Sequence, residues 1–377
     1  MLKHSLMTEK SKSKPTRRKF LLAASATGAA AVAMPQVSRA QTVTWKYQST
    51  WPTKDFTHEM AVDYANKVNA MTGGRLKLDV LAAGSVVPAF QMQDAVHSGI
   101  LEAGHGVCAY WYGKHKAFSL FGTAPSFGWD SHSLLAWFYA GGGEALYKEL
   151  VNDILKLNLT GFLCFPMPTQ PLGWFKKEVK SLDDLKNIKY RTVGLSADLF
   201  KELGAAVTIL PGGEIVPAMD RGLLDAAEFN NPSSDILLGF PDVAKNYMMQ
   251  SNHQQCESFE IIFNKAKFDS LPSEIRAILR YAVFSATADQ FTMAHDRYSK
   301  DLEEIRKRSV QVIKTPDSVL NAQLTAWDRV IAEQSKDPFF KKVIDSQKAW
   351  AKRTVPYFLI NNNNTAALES AYKHFFG

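Results

Sequence analysis

Val43 to Val80 reads VTWKYQSTWPTKDFTHEMAVDYANKVNAMTGGRLKLDV. Val43, Trp45 and Tyr47 alternate as a strand does; Met60, Tyr64, Val68 and Met71 recur at the spacing of a helix with one apolar face; Leu76, Leu78 and Val80 alternate again. Gly73-Gly74 stops the helix between them. Strand, helix, strand in quick succession is the crossover unit of a parallel sheet, so the chain opens as an α/β protein.

A second series of the same kind follows. Gly161-Phe162-Leu163-Cys164-Phe165 reads as a buried strand ending at Pro166 and Pro168, and Ile188 to Arg191 as a short strand. Ser196 is placed to cap a helix carrying Leu199, Phe200 and Leu203, which Gly204 closes. Ala206 to Leu210 is the next strand, Pro211-Gly212-Gly213 a turn, Glu214 to Arg221 a helix ended by Gly222, and Leu223 to Phe229 a further strand. Ser258 to Asn264, with Phe259, Ile261 and Phe263 on one side, returns the chain toward its first part. Pairing that strand with Gly161–Phe165 gives two lobes joined by two crossings, a hinge. The expected lobes are 41–165 with about 254–295, and 166–253 with about 296–350, leaving 351–377 as a tail. From Ser273 to about Lys307 a helical pattern persists without Pro or Gly, far beyond the usual length of about 12 residues, and can brace both lobes. The Asn361–Asn364 run is too polar to pack, and the amphipathic stretch Ala367 to Phe376 behind it docks either on another chain or on its own body.

Ahead of the first strand, Arg17-Arg18-Lys19-Phe20-Leu21-Leu22 leads into an alanine-rich run closing at Ser38-Arg39-Ala40. A charged head, a short apolar middle and a small-residue exit are the parts of a cleavable export peptide, and the arginine pair makes it a twin-arginine signal over residues 1–40. The run is too short to span a bilayer. Removing it takes away eight of 44 basic and one of 37 acidic side chains, so the remainder has 36 of each and is formally neutral. The basic balance of the whole chain, +7, is therefore no argument for a nucleic-acid or membrane partner. Three cysteines, Cys108, Cys164 and Cys256, are too few for a disulfide framework and read as buried small apolar residues.

Three polar side chains fall at strand ends, where open α/β sheets bind ligands: Gln170 just past Phe165, then Arg191 and Glu228. Arg191 can receive a carboxylate through two parallel hydrogen bonds, or else form a salt bridge with Glu228 or Asp198. Glu228, between Ala227 and Phe229, needs a positive partner if it is desolvated. Its carboxylate, the Gln170 amide oxygen and a main-chain carbonyl are the ligand type of sodium or calcium and the wrong type for zinc. Tyr110-Trp111-Tyr112, near Phe118, Phe121, Phe127 and Trp129, either walls a ligand pocket or belongs to the core. His253-Gln254-Gln255-Cys256 has no second ligand pair, and no G-x-S-x-G, H-E-x-x-H or phosphate-cradling loop occurs.

Two runs are more specific. Ser181-Leu182-Asp183-Asp184-Leu185-Lys186-Asn187-Ile188-Lys189-Tyr190-Arg191 resembles the "L-x-D-L-K-G-x-K-x-R" run of the periplasmic solute receptors of tripartite ATP-independent periplasmic (TRAP) transporters, the DctP-type family. Pro211 through Glu214, Ala218, Arg221-Gly222-Leu223-Leu224-Asp225 and Glu228 is similar to that family's "P-x-x-E-x-x-x-A-x-x-x-G-x-x-D-x-x-E". The resemblance covers nearly the whole mature chain and is greatest to the branch that binds 2-oxoacids or 2-hydroxyacids with a cation. It implies a periplasmic-binding-protein-like fold whose lobes close on the ligand. It also implies that Arg191 grips the substrate carboxylate, and that Gln170, ahead of Gly173-Trp174-Phe175, coordinates Na+ or Ca2+ with Glu228 and the Phe229 carbonyl. Membrane permease subunits as partners and a dimer made by an exchanged C-terminal helix are implied as well.

The chain departs from the branch at Phe229-Asn230-Asn231-Pro232, where Trp-x-Gly-Pro is common, and at Asn252-His253-Gln254, where Trp-His-Glu is common. Amides at Asn230, Asn231 and Asn252 are expected to change pocket volume and polarity, with His253, Tyr110 and Trp111 as further substrate contacts. The resulting expectation is a non-catalytic periplasmic receptor for a small organic acid. Its alternatives are a sensory ligand-binding subunit and an exported metal-assisted enzyme with Glu228 or His253 as base, for which no nucleophile is paired with a base.

Overall fold

The computed structural model describes residues 42–123, 125, 127–361 and 365–376. The expected export signal, residues 1–40, and Asn362–Asn364 lie outside these residues. The first sheet has five strands in the order β2-β1-β3-β10-β4: β1 Val43–Ser49, β2 Leu76–Leu81, β3 Ala103–Val107, β4 Leu159–Met167 and β10 Glu257–Asn264. The second has six in the order β11-β9-β5-β8-β6-β7: β5 Gly173–Phe175, β6 Lys189–Arg191, β7 Ala206–Thr208, β8 Ala226–Ala227, β9 Asn246–Met249 and β11 Gln311–Lys314.

The opening unit forms as its pattern demands. β1 pairs in parallel with β2 across α1 (Phe56–Met71), which buries Met60, Tyr64 and Val68. Asp55 caps α1, its Oδ1 accepting the Thr57 N–H at 2.9 Å. α2 (Ser131–Ala140) packs on β4 and β10. α3 (Ser196–Glu202), α4 (Gly212–Asp220) and α5 (Pro232–Leu238) lie between strands of the second sheet.

The hinge pairing is present: β10 runs antiparallel to both β3 and β4. Alternation along β10 gives Phe259, Ile261 and Phe263 to one apolar cluster and Ile262 to the other. β4, however, runs through Pro166 to Met167 rather than ending at Phe165. The register shifts opposite Ser258/Phe259, where Phe165 takes φ +35° and its N–H turns to Thr287 Oγ1 at 3.2 Å. A proline costs the ladder little beside such a bulge.

Two further expectations change. Ser196 is the first helical residue of α3 and not its cap, because its hydroxyl donates to the His253 carbonyl at 3.1 Å. The strand expected over Leu223–Phe229 shrinks to Ala226–Ala227, wedged between β5 and β6.

The 35-residue helix α6 (Ser273–Lys307) is about 50 Å long at 1.5 Å per residue and packs against α1, β4 and α5, so it braces both lobes. Tyr64 donates to the Leu279 carbonyl at 2.9 Å and Gln290 to that of Met60 at 3.0 Å. α7 (Asp317–Gln334) and α8 (Pro338–Asn361) follow, with Gln347 of α8 bonded to the Leu120 carbonyl at 2.6 Å. α9 (Thr365–Phe376) leaves Leu368, Tyr372, Phe375 and Phe376 exposed, as are Tyr357 and Ile360 before it. The three cysteines are free and buried. No described helix is long and apolar enough to cross a membrane.

Candidate functional site

Arg191 ends β6, and its partner across the ladder is Ala227, so Glu228 emerges beside it. Both are buried, at 1% and 0% exposure. The guanidinium donates through Nε to the Leu210 carbonyl at 2.8 Å, and through Nη1 to the Glu228 carbonyl at 2.9 Å and to Glu228 Oε1 at 3.1 Å. Nη2 is buried with no partner. The ion pair to Glu228 and a free donor edge thus coexist, whereas Asp198 is taken by Tyr112, whose hydroxyl donates to it at 2.6 Å. Burial raises the Glu228 carboxyl above its ordinary range, and the Arg191 charge pulls it back.

Gln170, 1% exposed, reaches the pair from the crossing between β4 and β5. Its main-chain N–H is pinned to the Gln254 carbonyl at 3.0 Å, and its Nε2 donates to Glu228 Oε2 at 2.7 Å and to the Phe229 carbonyl. Oε1 is buried with no partner. A half-turn of the amide exchanges Nε2 for Oε1, bringing an amide, a carboxylate and a carbonyl oxygen around one point. An all-oxygen set with one carboxylate suits a hard cation such as sodium or calcium. Among the described residues no group of three or more His, Cys, Asp or Glu side chains is placed to hold a metal, so His253 and Cys256 form no such site.

Two glycines permit this packing. A Cβ on Gly173, at φ +122°, would lie 2.3 Å from the Ala227 carbonyl oxygen, so β5 approaches β8 only without one. A Cβ on Gly212 would lie 2.4 Å from the Phe229 ring, which rests on the first residue of α4 and 5.8 Å from the Arg191 guanidinium.

The first lobe contributes Tyr110. Its hydroxyl is buried with no partner, and burial raises the phenol, with Arg191 and the Gly212 backbone opposing and Glu228 reinforcing. Its ring packs edge-on to Phe90 and against Trp51. Trp51 lay outside the sequence expectations. It is 1% exposed, donates to His105 Nδ1 at 2.8 Å and stands edge-on to Phe259. Glu257 was also missed: it is buried, its Oε2 has no partner, and burial with the Glu228 charge pushes it well above the carboxylate range. The sequence signal was available, since Glu257 continues the Phe259–Ile261 alternation one step before the expected start of the strand.

Five expected contacts are engaged elsewhere, in whole or in part. Trp111 turns away, its indole N–H bonded to Glu260 in the core. Asn231 caps α5, accepting the Ser234 N–H at 2.9 Å and donating to Asn230 Oδ1 at 2.8 Å, so its amide and the Asn230 oxygen serve the turn. His253 is held by Ser251 at 2.6 Å, packs on Phe200, is lowered to about 3 by burial, and bonds none of Gln170, Arg191 or Glu228. Asn252 is tied to α7 through Leu320 and Trp327.

Residues 47–337 match the family described as bacterial extracellular solute-binding protein, family 7 (DctP). A monocarboxylate 2-oxoacid-binding periplasmic protein of Nostoc is 32% identical over 85% of this chain and 87% of its own. A TRAP transporter solute-binding protein from Bordetella bronchiseptica superposes with a TM-score of 0.83, at 26% identity over 88% of this chain and 98% of that one; it is a dimer with co-purified calcium and picolinate. Another, from Pseudoalteromonas atlantica with bound sodium and pyruvate, gives 0.80 at 28% identity over 89% of this chain and all of the other. The fold is thus the two-lobed one of TRAP solute-binding proteins, and the chain belongs to the DctP family, family 7 of the bacterial extracellular solute-binding proteins.

Proposed function

We propose that this chain is a periplasmic receptor that captures a small 2-oxo or 2-hydroxy monocarboxylate with Na+ or Ca2+ and delivers it to TRAP membrane permease subunits. The observation that carries the reading is the buried pairing of the unpartnered Arg191 Nη2 with the oxygen set of Gln170, Glu228 and Phe229. The arginine edge supplies charge-assisted hydrogen bonds to a carboxylate, each contributing roughly 1.5 to 3 kcal/mol. A bound cation would offset the negative charge that the ligand brings beside Glu228. Tyr110, whose ring packs on Trp51 and Phe90, is assigned to an aromatic wall of the centre, and Asn231 is engaged by its turn. That favours an acid with a compact or apolar substituent over a heavily hydroxylated one.

The relatives support the class of ligand and the pairing with a cation. Capture without turnover is the role assigned, in keeping with the solute-binding family to which the chain belongs. The lobes proposed to close are those expected above. The exposed apolar face of α9 is assigned to a homodimer contact. Calorimetry with pyruvate tests the reading: binding to the native protein and its loss in Arg191→Ala are expected, and unchanged affinity in the variant overturns it.

A further inference from the structure

Asp55 and Asp235 are buried, at 0% and 1% exposure, and belong to different lobes. Asp55 caps α1 just after β1 of the first sheet; Asp235 lies in α5, between β8 and β9 of the second. Ser234 joins them, its hydroxyl donating to Asp55 Oδ1 at 2.7 Å. Asp235 Oδ2 accepts from the Trp174 indole at 2.8 Å and the Tyr247 hydroxyl at 2.9 Å. The other oxygen of each carboxyl is buried with no partner, as are the hydroxyls of Ser233 and Tyr298.

The charged and titratable groups around this junction do not neutralise it. α1 adds Glu59 and His58, the latter bonded to Ser49 at 2.7 Å and lowered by burial. β10 adds Glu257, which acts with both aspartates on Tyr298 of α6, and β9 adds Tyr247. The cation of α6, Arg297, is engaged by Glu59 at 2.5 Å and by Asp301 at 3.7 Å, and stacks over Phe56. Asp55 also acts on Tyr110, so the junction borders the ligand centre. Two carboxyls brought together out of water without a bonded cation are costly to ionise.

We propose that the Asp55–Ser234–Asp235 junction is a proton-operated latch between the lobes, holding them together when protonated and loosening them when it ionises. The proposal rests on the receptor reading, in which lobe contact accompanies ligand capture. Burial raises Asp55 to about 6 and Asp235 to about 7, the latter further through Asp55 itself. Separated lobes free Asp55 from Ser234 and return it to water and to the ordinary range near 4, whereas Asp235 keeps Trp174 and Tyr247 within its own lobe. The contact therefore binds more protons at Asp55 than the open form does: it is fully favoured below that range and is lost as pH rises through about 6.

Calorimetry with pyruvate in buffers of different ionisation enthalpy tests this. Near pH 5.5 the native protein should take up protons on binding, and its affinity should fall roughly tenfold between pH 5 and 7. Asp55→Asn keeps the cap and the Ser234 acceptor while removing the charge; it should bind with little proton uptake and a flat pH profile. Parallel profiles in the two proteins would overturn the latch. If pyruvate gives no heat at any pH, the receptor reading fails instead. Ligand-free melting scans then decide the latch: the native midpoint should drop relative to Asp55→Asn from pH 5.5 to 8, and equal drops would reject it. Asp55→Ser, which keeps a capping oxygen without the charge, gives the same readouts should Asp55→Asn not fold.

Discussion

Arg191 and Glu228 share one buried ion pair, so removing either member leaves a charge out of water, at a cost of roughly 3 to 5 kcal/mol. Arg191→Ala is therefore expected both to weaken carboxylate binding at least ~100-fold, from the lost charge-assisted bonds, and to lower the melting midpoint. Arg191→Lys separates the two effects: it restores most of the midpoint but not the affinity, because an ammonium lacks the planar fork. Glu228→Gln should fold, since Arg191 keeps its bonds to the Leu210 and Glu228 carbonyls, and should lose sensitivity to added sodium or calcium in a pyruvate titration. Arg191, Glu228 and Gln170 were legible because charged or amide side chains at strand ends are conspicuous against apolar neighbours. Trp51 and Tyr110 were harder, because an aromatic residue facing a ligand and one facing a core look alike in sequence. Trp111, adjacent to Tyr110, went to the core because Glu260 on β10 claims its N–H, a long-range contact that local pattern cannot carry.

The elements were legible where periodicity is long. α6 begins and ends at the residues its pattern marks, and β10 alternates cleanly. Legibility failed where tertiary contacts decide: the bulge at Phe165 carries β4 through a proline, and the Ser196 hydroxyl is drawn from the start of α3 to the loop at His253. The close contact of β5 with β8 makes a prediction at this level. Gly173→Ala places a methyl against the Ala227 carbonyl in a backbone conformation strained for any side chain, and should destabilise the second sheet by about 2 kcal/mol or more, read as a shift in denaturation midpoint. α6 is clamped to the first lobe by Arg280, which donates to Glu144 at 2.7 and 3.1 Å and holds that carboxyl down at about 2. A lowered carboxyl stabilises the fold above its unfolded range near 4 and ceases to as pH falls toward 2. Glu144→Gln should therefore cost about 1 kcal/mol at pH 7 and close to nothing near pH 2, compared by chemical denaturation.

For the whole molecule, two sheets joined at β4 and β10 and braced by α6 make a pair of lobes that meet around Arg191. The lobe count and the hinge pairing followed from the order of strands and helices. The junction of Asp55 with Ser234 did not, because it joins segments 179 residues apart, a pairing that local pattern cannot carry. Deleting residues 365–377, which carry exposed Leu368, Tyr372, Phe375 and Phe376, should turn a dimer into a monomer by light scattering while leaving pyruvate affinity unchanged. The central claim is that Arg191 and the Gln170–Glu228–Phe229 oxygens together receive a carboxylate and a cation. Its most direct test is calorimetric titration of pyruvate into protein dialysed against chelator in sodium-free buffer, with and without sodium or calcium restored. The account predicts weak or no binding without a cation and one ligand per chain once it is returned; equal affinity in both conditions would contradict it.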